Sequence, residues 1–109
     1  MDDGIYRVIL TRHNQPIAEA ILVLRDGVFN GGGEGYLFRG NCDRDSDTIR
    51  GEVLAYDKEQ APIYAIDDRY TISLKRDQQQ PNLVFSGLFN DDPARPITAE
   101  FFWKVPLAG

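Results

Sequence analysis

The stretch Arg25-Asp26-Gly27-Val28-Phe29-Asn30-Gly31-Gly32-Gly33-Glu34-Gly35-Tyr36-Leu37-Phe38-Arg39-Gly40 decides how the chain is read. Six of its ten glycines fall in these sixteen residues. Asp26-Gly27 is the dipeptide of a type I′ hairpin turn, in which both central residues need positive φ. Gly31-Gly32-Gly33 has no side chain to pack, so it marks either a sharp bend or a close approach of backbone to backbone. Tyr36-Leu37-Phe38 then resumes a strand-like pattern. Hairpin, glycine-rich corner and strand in succession are how a small β-barrel turns.

Working outward, period-2 alternation recurs over almost the whole chain. Ile5 to Arg12 sets Tyr6, Val8 and Leu10 against Ile5, Arg7, Ile9 and Thr11. His13-Asn14-Gln15-Pro16 reads as a turn, and Ile17 to Arg25 as the strand that enters the glycine stretch, with a short strand at Val28-Phe29-Asn30 inside it. Beyond it, Tyr36 to Arg39 is a strand, Gly40 to Asp47 a polar loop and Thr48 to Tyr56 a strand. Asp57 to Asp68, with Pro62 in its middle, is irregular. Arg69–Lys75, Leu83–Phe89 and Ile97–Lys104 complete the strands, the last placing Ile97, Ala99, Phe101 and Trp103 on one face. About eight short strands with hairpin-length links and no long crossover predict an all-β antiparallel up-and-down barrel, one domain over residues 1–109. A β-sandwich is the alternative architecture.

Composition fits that reading. A chain of 109 residues with 42% hydrophobic content can bury one core and is too apolar to stay disordered. The net charge of −5 repels nucleic acid and anionic membrane. Cys42 is the single cysteine, which excludes an internal disulfide and points to a reducing compartment. The acidic start Met1-Asp2-Asp3-Gly4 does not read as a signal peptide, and the apolar run Ala20–Leu24 is too short to cross a bilayer. The expectation is a cytoplasmic protein with no nucleic-acid or membrane partner.

Asp3-Gly4-Ile5-Tyr6, the stretch Arg25 to Gly32 and Tyr36 to Gly40 together resemble the GrlR-type negative regulators of bacterial type III secretion. Their pattern opens D-G-I-Y, then has a G-G-D turn and a Y-x-G strand end. The resemblance covers the first 40 or so residues well and the remainder only by strand spacing. It implies a lipocalin-like eight-stranded barrel, dimeric, that restrains a transcription activator by binding it rather than by binding DNA. Two departures stand out. The G-G-D turn appears here as Gly31-Gly32-Gly33 or Gly32-Gly33-Glu34, and the family's contiguous acidic run becomes Asp43-Arg44-Asp45-Ser46-Asp47, interrupted by Arg44. Carried onto this chain, the family's logic makes Asp43, Asp45 and Asp47 the partner-binding residues, as an exposed acidic loop steers a basic partner.

Other chemistries find little footing. Taking Asp43 as the first ligand of an EF-hand loop puts Thr48 where glycine is required and Leu54 where the bidentate glutamate belongs. His13 and Cys42 are too few for a transition-metal site. Ser46, Ser73 and Ser86 have no nucleophile-elbow context, and Gly31 to Gly35 lacks the G-K-[ST] end of a phosphate loop. Glu19, Glu52 and Glu100 lie mid-strand; two of them turned inward would form an acid–base pair with shifted pKa, and outward they are ordinary surface. No cofactor, metal or enzymatic activity is expected. Phe85, Phe89, Phe101 and Trp103 form an aromatic wall that is either core or, with Tyr6, Tyr56, Tyr64 and Tyr70 at a rim, the lining of a small apolar-ligand cavity. Consecutive apolar residues at Ile21–Leu24 and Phe101–Trp103 leave Leu22 or Val23 and Phe102 seeking cover outside the barrel, which predicts a homodimer.

Overall fold

Turn chemistry sets where each strand stops. His13 and Asn14 have φ of 50° and 63°, and Asp26 and Gly27 have 52° and 79°, so both two-residue turns carry the double positive φ that matches the right-handed twist of the strands they join. Between such turns the computed structural model, which describes residues 1–57, 59 and 69–109, has eight strands. They are β1 (Gly4–Arg12), β2 (Gln15–Arg25), β3 (Val28–Gly33), β4 (Tyr36–Asp43), β5 (Thr48–Ala55), β6 (Arg69–Arg76), β7 (Leu83–Phe89) and β8 (Pro96–Val105). Each pairs antiparallel with the next, and β8 pairs back onto β1, closing an up-and-down barrel with no free edge. Asp57 to Asp68, read as irregular, lies almost wholly outside the described residues, as does Tyr64.

The inward set is the expected alternation: Tyr6 and Val8, Leu22 and Leu24, Phe29, Phe38, Ile49 and Val53, Ile72 and Leu74, Phe85 and Phe89, Ile97, Ala99 and Phe101 are all buried. No charged or polar residue is buried among those described. The rings interlock: Phe101 lies 5.2 Å from Phe85, 5.7 Å from Phe29 and 6.1 Å from Tyr6, centroid to centroid. Such tilted and edge-on pairs add to what area burial alone provides.

Four sequence expectations change. Gly31-Gly32-Gly33 is not a bend but the second half of β3, and the turn falls at Glu34-Gly35. The glycines serve backbone approach: a Cβ on Gly33 would sit 2.3 Å from the Glu19 carbonyl oxygen and 2.7 Å from the Tyr36 hydroxyl. Gly40, Asn41, Cys42 and Asp43 belong to β4, not to a loop. Gly40 lies opposite Gly51 because the Phe38 ring needs the space, a Cβ on either falling 3.1 Å and 2.7 Å from that ring. Gln15 and Pro16 are strand, tolerated because a bulge between Leu10 and Thr11 shifts the register beside the proline, which has no N–H to give. Finally, Trp103 keeps the face of Phe101 and stands opposite the buried Tyr6, edge-on at 5.2 Å. It lies across Gly4 where β8 runs out at the barrel end and is therefore half exposed; the bulge between Ile5 and Tyr6 comes only after it.

Candidate functional site

The barrel interior is the first place to look, and it is full. The space left inside is about 30 Å³, lined only by apolar and aromatic side chains that include Val8, Leu22, Phe38, Val53, Leu74 and Phe101. Small-molecule sites run to about 300–1,000 Å³, and an apolar void this small stays dry. Of the eight aromatic residues named for a ligand cavity, Phe101 alone among the described ones lines this space. Phe85 and Tyr70 pack in the core, Tyr70 edge-on to Phe89 at 5.1 Å. The Tyr6 hydroxyl donates to the Asp2 carbonyl at 2.5 Å, and burial pushes its phenol pKa up. Trp103 is half exposed, and Tyr56 lies on the outside, its hydroxyl donating to the Gly33 carbonyl and accepting from the Gly35 N–H, both at 3.3 Å. Tyr56 therefore clasps the β3–β4 turn.

The carboxylates also face outward. Glu19 takes the Arg7 guanidinium at 2.6 Å, which holds its carboxyl below the usual range, and Glu52 bridges Arg39 at 2.6 Å and Arg69 at 3.7 Å. Glu100 sits opposite Ile9 on the same outer side of the wall. No two of them meet as an acid–base pair. Cys42 points into the core, not into a polar loop, and burial raises its thiol pKa.

Asp43, Asp45 and Asp47 lie at one end of the barrel. The N-terminus and the turns after β2, β4 and β6 share that end by topology. In the turn after β4, the Asp43 Oδ1 accepts from the N–H groups of Asp45 and Ser46 at 3.0 Å and 3.4 Å, an Asx-type cap that shapes the loop. Asp47 has φ of 53°, accepts the Arg76 N–H on its carbonyl at 2.9 Å and takes the Gln78 amide on its carboxylate at 2.8 Å. The Arg44 guanidinium, which interrupts the acidic run in sequence, turns away and pairs with Asp3. Asp3 also accepts the Asp26 N–H at 3.1 Å, and this N–H first, then Arg44, holds its carboxyl below the usual range. The cation is thus spent within the fold, and Asp43, Asp45 and Asp47 are left as an outward anionic loop. They do not gather on a cation site: among the described residues no group of three His, Cys, Asp or Glu is placed to hold a metal ion.

The remaining expected interface residues divide. Leu22 is core, 4% exposed, and cannot reach a second copy. Val23 and Phe102 face outward and are half-buried, the Arg7 guanidinium lying 5.8 Å over the Phe102 ring. Among the outward apolar residues that sequence reasoning missed are Ile21 and Leu37, 48% and 51% exposed, with Val28 and Val105 exposed as well. The signal for the first two was present as odd-numbered positions between inward neighbours: Ile21 between Ala20 and Leu22, and Leu37 between Tyr36 and Phe38.

No family model and no curated protein matches this chain. The resemblance to the GrlR-type regulators therefore rests on the residues quoted for it. Among the described residues no helix is long and apolar enough to cross a membrane.

Proposed function

We propose that this protein acts by contact with another protein, as a non-enzymatic adaptor or regulator. The observation that carries this reading is the filled interior: with about 30 Å³ inside, binding has to happen on the outer surface. The filled core likewise weighs against a small apolar ligand held as in lipocalins. Since the barrel is closed, a partner cannot add a strand to an edge and has to be read by side chains. The loop bearing Asp43, Asp45 and Asp47 supplies such a surface, one suited to a basic partner. Carried over from the GrlR-type resemblance, that partner is a transcription regulator.

The test is affinity capture from the source cells, then association kinetics with the captured protein at low and high salt. Asp43→Asn, Asp45→Asn and Asp47→Asn together remove three charges while keeping the side-chain oxygens, and asparagine tolerates the positive φ at position 47. The expected result is a slower on-rate, a flatter salt dependence and an unchanged melting temperature. A triple variant that binds as fast as the parent at every salt concentration would rule out the acidic loop. Co-purification of a stoichiometric small molecule, seen by native mass spectrometry, would rule out the reading itself.

A further inference from the structure

Strand pairing in β1 begins at Gly4, opposite Leu24, yet Met1, Asp2 and Asp3 lie over the barrel end rather than trailing from it. Met1 packs on the hydrophobic core. The Asp2 carbonyl accepts the Tyr6 hydroxyl at 2.5 Å. The Asp3 carboxylate accepts the Asp26 N–H on both oxygens, at 3.1 Å and 3.2 Å, and pairs with the Arg44 guanidinium. Asp26 stands in the turn after β2 and Arg44 in the turn after β4, so Met1–Asp3 ties both turns to β1. The stretch Asp3-Gly4-Ile5-Tyr6 thereby acquires a structural task. Gly4 is buried where the segment leaves the sheet, and the Trp103 ring occupies the space a Cβ there would take. Asp3 and Tyr6 supply the bonds on either side of it. Beneath the segment is Cys42, the least deeply buried member of the core. Its N–H donates at 2.8 Å to the Gly27 carbonyl, in the same turn that Asp3 grips. Met1 at its amino end and the Arg44 guanidinium both act electrostatically on the Cys42 thiol, which places them beside it.

We propose that Met1–Asp3 is a strap, hinged at Gly4, that swings off the barrel end and uncovers Cys42 while the eight strands stay paired. Each polar tie of the strap has a side chain at one end or both, and none is a rung of a strand ladder. Their release therefore leaves every pairing of the sheet in place. Asp3 and Arg44 are partly exposed, where an ion pair contributes little. Segments held in this way open at a free energy well below that of global unfolding. Opening of the strap is read at Cys42 with no partner present, so it stands or falls independently of the proposed function.

The rate at which Cys42 of the full chain reacts with DTNB, across a urea series held below the unfolding transition, is the test. The Cys42 thiolate displaces one thionitrobenzoate from the reagent's disulfide and stays in the mixed disulfide, so the released thionitrobenzoate counts each opening that leads to reaction. The wild type is expected to label at a rate nearly independent of low urea, because a strap exposes little surface when it opens. Asp3→Ala is expected to speed this labelling at least about tenfold, since its hydrogen bonds and ion pair go together. Circular dichroism checks that the variant folds, and Arg44→Gln, which keeps the Asp26 bond and should accelerate labelling less, takes its place if it does not. Phe89→Leu, in the core at the opposite end of the barrel, lowers global stability and should leave the low-urea rate unchanged. Wild-type labelling that climbs with urea along the global unfolding slope from the start overturns the proposal. So does a folded Asp3→Ala, or Arg44→Gln in its place, that labels no faster than the wild type, or a Phe89→Leu that accelerates low-urea labelling as much as Asp3→Ala does.

Discussion

Phe101→Ala puts the filled interior to a quantitative test. Phe101 is 4% exposed, sits at the meeting point of β1, β7 and β8, and touches the rings of Tyr6, Phe29 and Phe85. Removing its ring forfeits about 2 kcal/mol of transfer free energy. The void left behind adds about 1 kcal/mol for each 40 Å³ that the neighbours fail to fill, at ~24 cal/mol per Å³. Three lost ring pairs push the total toward the upper part of the range of about 3–5 kcal/mol found for buried phenylalanines. Against a domain stability of about 5–15 kcal/mol that loss is large but survivable. In urea, with a slope near 1.5 kcal/mol per M, the midpoint should fall by about 2–3 M while the slope stays constant. Phe101→Leu should cost about 1 kcal/mol and covers the case in which the alanine variant is too unstable to measure. A Phe101→Ala loss below about 1 kcal/mol would refute the reasoning. It would mean that the ring lines a loosely filled space, as in a ligand-holding barrel.

Three further outcomes follow from the same geometry. Gly87→Ala should destabilise by at least about 2 kcal/mol in a denaturant melt, because its Cβ would lie 1.7 Å from the Ser73 carbonyl oxygen on the paired strand. Cys42, buried with a raised thiol pKa, should react with a thiol reagent such as DTNB only as fast as the barrel opens, and at once in denaturant. Asp3, whose carboxyl is held low, stabilises the fold above the ordinary carboxylate pKa and loses that contribution as pH falls through its lowered native value. Melts across the acid range should therefore show Asp3→Asn less stable than the wild type at neutral pH, with the difference closing toward strongly acidic pH.

Much of the fold was legible because turn chemistry and period-2 alternation agree. Asp26-Gly27 reads as a hairpin from two residues, and Leu83–Phe89 as a strand with the same bounds the structure has. What was not legible depends on neighbours distant in sequence. Gly40 and Gly31–Gly33 have poor strand propensity, yet they sit in strands because Phe38, Tyr36 and the adjoining backbone occupy the space a Cβ would take. Trp103 continues the alternation of Phe101 in the structure as on paper, but the sequence does not show that it falls at the open end of the barrel, where half of it meets solvent. The outer wall was half legible. Five consecutive apolar residues from Ala20 to Leu24 announce that both faces are apolar, but which face is core is settled by the pairing with β1 and β3, and that makes Ile21 rather than Leu22 the outward residue. For the acidic loop, the sequence shows the charges but not that Arg44 is drawn off to Asp3, since those two residues are brought together only by closing the barrel end.

The seam between β1 and β8 joins the first strand of the chain to the last. Every other pairing in the barrel is between sequence neighbours and can form as a local hairpin or meander. This one needs residues about a hundred positions apart, and no earlier pairing substitutes for it. Until β8 arrives, β1 presents a row of unpaired N–H and C=O groups with Ile5, Ile9 and Phe102's future place left uncovered. A sheet that Pro96–Val105 has not yet closed carries unpaired edges on β1 and β7, the feature that favours strand-to-strand association between chains. Loss of that final segment would not trim the barrel but unzip it, exposing two edges at once and turning a self-contained monomer wall into a template for aggregation.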